Sequence, residues 1–248
     1  QAGEVFLYID YFGFPFDREI VDHLNEKGVF LLHDCCQALF TDWRDSKADY
    51  VVFSPRKFLG VPDGGILQAK IPCDFPGDPL PSLPDGIFAP LFKAVVLRRD
   101  FDLHGGERMW RDYFYQGEMQ FTAEAYQISN LSAMLLRTAF DYEQITAQRR
   151  KNFLVLAEKL ASMAIFPELP SNVVPLGFPI VVKDRDQVQK ALFRKDIYPP
   201  IHWNIDSVVP DAFAESHALS HTILTFPCDQ RYGGEEMVYM AQSLLETI

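Results

Sequence analysis

The sequence has little positive charge to spare. Lysine and arginine total 23 against 34 aspartates and glutamates, leaving a net charge of −11 over 248 residues. An acidic surface repels phosphate backbones and anionic headgroups, so neither nucleic acid nor a membrane surface is the expected partner. No apolar run approaches the ~20 residues a membrane helix requires, and no secretory leader is recognisable at the start. The four cysteines, Cys35, Cys36, Cys73 and Cys228, lack the spacing of a disulfide framework. That predicts reduced thiols and a cytoplasmic setting. The first residue is Gln1 and not methionine, so the chain is expected to be processed or cut from something longer. Internal repeats, low-complexity tracts and flexible linkers are also missing.

What is present suffices for a packed core. Hydrophobic residues make up 48% of the chain, and the length fits one large domain or two modest ones. Residues 4–9 (EVFLYI) read as a strand. Asp17 can cap a short helix whose Ile20, Val21 and Leu24 form one apolar face, and Gly28 stands where a helix ends. Residues 29–32 resume as a strand. The span 4–34 is therefore a βαβ unit with parallel strands and a right-handed crossover. Uninterrupted apolar runs predict strands buried on both faces. A second run at 50–53 follows. Both stop abruptly at chemically capable residues: the first at His33 and Asp34 with Gln37 beyond, the second at Ser54, Arg56 and Lys57, with the turn Asp63-Gly64-Gly65 behind them. Open parallel sheets hold ligands just past such strand ends.

Further along, residues 71–90 carry six prolines and predict a long irregular loop. Residues 91–115 mix basic and aromatic side chains; a substrate or subunit-contact arm and a solvated helix with a loop both fit. From 118 to 166 there is neither glycine nor proline. Leu131, Met134, Leu135, Thr138 and Tyr142 keep helical spacing, as do Phe153, Leu156, Ala157 and Leu160, so one bent helix or two joined helices are expected. The last third starts afresh. It reads as a strand at 177–182, a helix capped by Asp184 with Gln187 in a capping box, and a turn or strand from Ile197. A strand at 222–226 and a terminal helix at 235–247 follow. A boundary in the long helical span divides the chain into a larger domain, 1–140, and a smaller α/β domain, 141–248.

A lysine amine does covalent chemistry by forming a Schiff base with a carbonyl, and pyridoxal phosphate is the usual carbonyl. That cofactor needs a lysine for its aldehyde, an acid for its pyridinium nitrogen and donors for its phosphate. Lys57, Asp34 and Ser54 can supply the three, with Arg56 a second phosphate donor. Each also has a bland reading, as a turn former or a solvated charge. The combination is much harder to explain by accident than any member. Metal binding by His33, Asp34, Cys35 and Cys36 is the rival. Consecutive strand residues point to opposite faces, which makes four in a row a poor chelate, and no metal is expected here. Packing accounts for Cys35 and Cys36 better than nucleophilic chemistry does.

The segments HDCCQAL and ADYVVFSPRKFLGVPDGGIL resemble the core of the DegT-type sugar aminotransferases, a fold-type I group of pyridoxal phosphate enzymes. QISNLSAMLL with QRRKNF, DIYPPIHW, and HTILTFPCDQRYGGEEM resemble later segments of that family. The resemblance implies an α/β fold: the carboxy-terminal part of a large domain with a mostly parallel sheet, plus a small α/β domain. It implies that Lys57 carries the cofactor as a Schiff base and shuttles the proton, and that Asp34 pairs with the ring nitrogen. Gln37 would lie beside the ring, Ser54 would hold phosphate, and His202 and Trp203 would approach substrate. The implied enzyme is a homodimer that moves an amino group from an amino acid to a keto-sugar, expected to be nucleotide-linked.

The departures are specific. Lys57 is closer to Ser54 than the family's lysine is to its serine. Ala125 falls where relatives place an asparagine that reaches across the dimer. The family's preceding half-domain, with its glycine-rich phosphate loop and ring-stacking residue, has no counterpart here. The alternative is therefore a non-catalytic scaffold or interaction protein that keeps the fold with an incomplete cofactor site.

Overall fold

The computed structural model describes residues 3–70 and 80–248. Part of the proline-rich stretch, 71–79, lies outside the described residues, as does Cys73. By chain contacts the protein divides into two compact units. The first comprises Gln1–Ile9, Asp17–Leu39 and Ser46–Asp141. The second comprises Tyr142–Ile248 together with two short excursions, Asp10–Phe16 and Phe40–Asp45.

The first unit is built on a four-stranded sheet in the order β1-β2-β3-β4, formed by β1 (Val5–Ile9), β2 (Phe30–Asp34), β3 (Tyr50–Phe53) and β4 (Ile66–Ala69). β1, β2 and β3 are parallel and β4 returns antiparallel. The mixed, mostly parallel sheet is the one expected. Helix α1 (Arg18–Glu26) makes the β1–β2 crossover, and the Asp17 carboxylate caps it by accepting from the N–H groups of Glu19 and Ile20.

One expectation fails here. The strands are not buried on both faces: Leu31, His33, Val51 and Phe53 are buried, while Phe30, Leu32, Asp34, Tyr50 and Val52 alternate with them half-exposed. On the half-exposed side of β1, Val5 is 67% and Leu7 52% exposed. Continuous apolarity makes a strand able to be covered twice, but only neighbouring chain can do the covering.

Helix α2 (Asp85–His104) begins inside the stretch expected to be irregular. Pro84, at φ −59°, stands just before the first turn, where a missing N–H breaks no helical bond. Pro90 lies within the helix and deletes only the bond to the Gly86 carbonyl. Helix α3 (Trp110–Glu118) folds back on α2, with Arg98 over Trp110 at 4.4 Å and Lys93 over Tyr113 at 3.9 Å. Basic and aromatic residues of 91–115 thus meet across a helical hairpin. The glycine-free and proline-free span starts its helix only at α4 (Asn130–Thr138), where Ser129 accepts from the Ser132 N–H as cap.

The second unit closes its own core. Helix α5 (Tyr142–Leu160) supplies Phe153, Leu156 and Leu160, and the antiparallel pair β5 (Gly177–Val181) and β6 (Ile223–Pro227) supplies Phe178, Ile180, Leu224 and Phe226. Helices α6 (Arg185–Phe193) and α8 (Gly234–Leu245) complete the cluster with Val188, Leu192, Met237, Met240, Ala241 and Leu244. Helix α7 (Ala214–Thr222) runs directly into β6. Asp184 stands at the start of α6 but at φ 53°, and its side chain makes no capping bond, so the expected capping box does not form. The segment after Ile197 is irregular and adds no strand. Gly13 explains how the excursion Asp10–Phe16 docks. Its φ is +94°, and a Cβ there would stand 2.5 Å from the Val174 carbonyl oxygen. Among the described residues, no helix is long and apolar enough to cross a membrane.

Candidate functional site in the first unit

Register decides which side chains can meet. In the parallel ladder Asp34 pairs with Val52, and Cys35 N–H donates to the Val52 carbonyl at 2.8 Å. Paired residues share a face and alternate residues return to it, so Asp34 and Ser54 leave the sheet on the same, half-exposed side. His33 belongs to the other side. It is buried, stacked on Tyr8 at 4.3 Å, with Ser46 Oγ 3.0 Å from Nδ1 and Cys35 Sγ 3.1 Å from Nε2. Packing and hydrogen bonds account for this imidazole.

Past Asp34 the chain turns sharply. Ala38 N–H donates to the Cys35 carbonyl at 2.9 Å, and Gln37 is buried within the turn. The Asp34 carboxylate accepts the Cys36 N–H at 2.8 Å, which fixes its direction. Burial, with Asp34 beside it, pushes the Cys36 thiol up to about 12, although the Lys57 charge pulls the other way. The thiol therefore stays protonated, and the attraction also reports that Lys57 lies within electrostatic reach of the Asp34–Cys36 turn.

Beyond β3, Ser54 caps a single 3-10 turn, Pro55–Lys57, through its backbone: Lys57 N–H donates to the Ser54 carbonyl at 3.3 Å. The Ser54 hydroxyl makes no capping bond. Lys57 is exposed and forms no ion pair among the described residues. Arg56, one residue earlier, is held elsewhere. It donates to Glu118 Oε1 at 2.7 Å and stands over the Phe121 ring at 5.5 Å.

The turn behind Lys57 is fastened by partners far along the chain, Ser129 and Ser132. Asp63 is buried, and its carboxylate accepts the Ser129 N–H at 2.7 Å, the Ser129 hydroxyl at 2.6 Å and the Ser132 hydroxyl at 2.5 Å. Three donors satisfy a charge that would otherwise be costly to bury. Gly64, at φ +113°, lets Ile128 approach; a Cβ would lie 2.6 Å from its Cδ1. Only the residue pair Asp-Gly signalled this in the sequence, and it signalled a turn, not a clamp.

The remaining two candidates belong to the second unit. His202 Nδ1 is 2.9 Å from Thr225 Oγ1, and its ring meets Phe12 edge-on at 5.6 Å. Trp203 stacks near Phe12 at 6.1 Å, approaches Tyr11 at 5.3 Å, and is 42% exposed. Cys35, Cys36 and Cys228 are free thiols.

As a donor set, an exposed amine, an oriented carboxylate and a hydroxyl without a capping bond, all just past two strand ends, suit the aldehyde, ring nitrogen and phosphate of pyridoxal phosphate. The fit is closest at the first two. Ser54 makes no capping bond with its hydroxyl, and one Arg56 nitrogen is engaged by Glu118.

No protein-family model matches the sequence, and no curated protein matches it. Solved structures do match by fold. A DegT/DnrJ/EryC1/StrS aminotransferase from Brucella abortus superposes with a TM-score of 0.62 at 16% identity, over 98% of this chain and 64% of that one. A putative sugar aminotransferase from Streptococcus pneumoniae, in its PLP form, gives 0.66 at 14% identity, over 98% and 68%. The Helicobacter pylori aminotransferase involved in pseudoaminic acid biosynthesis gives 0.62 at 16%, over 98% and 66%. The expected resemblance to DegT-type sugar aminotransferases thus holds for the fold of almost the whole chain. The chain spans about two thirds of those proteins' length, and 64% of the Brucella abortus protein.

Proposed function

We propose that this chain is the lysine-bearing part of a pyridoxal phosphate-dependent aminotransferase that moves an amino group from an amino acid to a nucleotide-linked keto-sugar. One observation carries the reading: Asp34 and Ser54 emerge on one side of neighbouring parallel strands, with Lys57 exposed a single turn further on. The fold shared with solved sugar aminotransferases supports it.

When bound, pyridoxal phosphate would supply an electron sink for the pair left on a substrate carbon as its proton departs. The chain's own residues would do the rest. Lys57 Nζ would hold the cofactor through its aldehyde and, when free, would take up and return the substrate proton. The Asp34 carboxylate, aimed by the Cys36 N–H, holds a proton on the ring nitrogen. The Ser54 hydroxyl would donate to the phosphate, and the buried Gln37 would lie beside the ring. His202 and Trp203 contact the sugar substrate. The working form is a cytoplasmic homodimer, and the larger and smaller domains are 1–140 and 141–248.

The test is borohydride reduction of the gene product after incubation with pyridoxal phosphate, followed by peptide mass spectrometry. The Lys57 peptide should carry the reduced cofactor, and Lys57→Ala protein should carry none and lose all transfer activity. An unlabelled wild-type protein, or a label on another lysine, would overturn the assignment and favour a scaffold that has kept only the fold.

A further inference from the structure

The second unit holds a group of side chains that the proposed transfer reaction does not use. Asp206 precedes α7, and His217 and His221 lie on α7 one turn apart, so both imidazoles share a helix face. Both turn to one carboxylate oxygen. His221 Nε2 is 2.8 Å from Asp206 Oδ1, and His217 Nδ1 is 3.4 Å from it. On its far side, His217 Nε2 lies 3.2 Å from the Val209 carbonyl oxygen and 3.4 Å from that of Pro210.

Counting protons separates the two rings. A neutral imidazole carries one N–H and a charged one carries two. His221 needs a single N–H, at Nε2, to meet Asp206. His217 has an oxygen that accepts beside each of its nitrogens. A neutral ring there would donate to one oxygen and turn a lone pair on the other, whereas an imidazolium donates to both. The His217 side chain is 17% exposed, which leaves water little room to take a partner's place.

We infer that His217, with Asp206 and His221, is a proton-operated clasp that fastens the segment 206–210 to α7 and loosens it as pH rises. The fastened form holds a proton that the loose form gives up. Its advantage is therefore full at low pH and fades through the range in which histidine ordinarily changes charge, about pH 5–8. Asp206 sets the acid limit. The hydrogen bond from His221 above all, with that from His217, holds this carboxyl below its ordinary value, so it stays charged where both imidazoles are protonated. Other charges nearby do not compete. Among the described residues, Asp211 and Glu215 make no ion pair with either ring, and Arg185, on α6, donates to the Ser220 carbonyl and pairs with Asp186. The Ser220 hydroxyl donates to the Trp203 carbonyl, so the clasp is a second grip of α7 on the stretch that begins at Trp203. It operates whether or not the chain carries out amino transfer.

Amide hydrogen exchange of the gene product tests this, measured at about pH 5.5 and about pH 8 and expressed as protection relative to the free-chain rate at each pH. The reporters are the Val208 and Val209 amides, which donate to the Ile205 carbonyl. Their protection should fall about threefold or more at the higher pH in wild-type protein, while the α5 amides of the core hold steady. His217→Gln, which stays neutral throughout, should leave the reporters at their high-pH level at both values, and so should Asp206→Asn. His104→Ala, on α2, should keep the wild-type response. Equal protection at both pH values in wild-type protein, a fall that α5 shares, or a wild-type response in both clasp variants would overturn the inference.

Discussion

In the second unit, Phe178, Ile180, Leu224 and Phe226 on β5 and β6 are all enclosed, sharing one cluster with Phe153, Leu156 and Met237. In the first unit, β1 buries Tyr8 on one side and exposes Val5 and Leu7 on the other. Both units are α/β and both use short, largely apolar strands, yet one closes around its sheet and the other covers a single face. The side left open is the side on which Asp34 and Ser54 emerge. A closed core gives a platform whose shape is set by packing alone. A half-covered sheet gives access to polar groups at its strand ends, and leaves an apolar surface that water wets unfavourably.

The comparison can be broken most forcefully at Phe178. Phe178→Ala empties a fully enclosed site and should cost about 3–5 kcal/mol, read as a shift in denaturant midpoint. A cost near zero would mean that the core of the second unit is not the closed body described. In the first unit, the corresponding leverage lies in a polar clamp. Asp63→Ala leaves the Ser129 and Ser132 hydroxyls without their acceptor and should cost about 1–3 kcal/mol. It should also lower borohydride labelling of Lys57, which a purely remote structural loss would leave in proportion to folded protein.

Acid sharpens the contrast further. Burial raises the Asp229 carboxyl, but its hydrogen bonds and attraction to Arg231 outweigh burial, and the net shift is downward from 3.8. A lowered folded-state value means that the stabilisation is complete above the ordinary value and fades as pH falls through the lowered one. Asp229→Asn should therefore flatten the acid limb of the stability profile while changing little below it. Arg231 is 41% exposed, so screening keeps this effect small. Smallest of all should be Leu7→Ser on the open face, within about 0.5 kcal/mol by chemical denaturation. A loss several times larger would show that this face is covered in solution, by a second copy or by other chain.

Much of this layout was legible in the sequence, for local reasons. The strand–helix–strand at the start announces itself because Asp17 caps, Gly28 follows the helix and the apolar runs between are unambiguous. The terminal helix is equally plain, since Met237, Met240, Ala241 and Leu244 repeat at helical spacing and are all buried. What was not legible depends on partners far along the chain. The pairing of Arg56 with Glu118, 62 residues later, has no local signal. The prolines of 71–90 suggested irregularity, although Pro84 at a helix threshold is favourable. The absence of glycine and proline from 118 onward said nothing about where the helix starts; Ser129, an ordinary cap, marks it. Apolar runs announce that a face can be buried, and cannot say whether anything buries it.

The Asp63 clamp has a consequence in time. Asp63 and Ser129 are 66 residues apart, and Ser132 lies three further on. Closing so long a loop carries an entropic cost that grows with its length, and it cannot begin before the distant partner exists. On the ribosome, where roughly 5–20 residues emerge each second, the turn behind Lys57 must wait several seconds for its fastening. A nascent chain halted before Ser129 would contain Lys57 and lack the clamp on the turn behind it. The turn that follows Lys57 thus stays unfastened until the α2–α3 hairpin has been made and passed over.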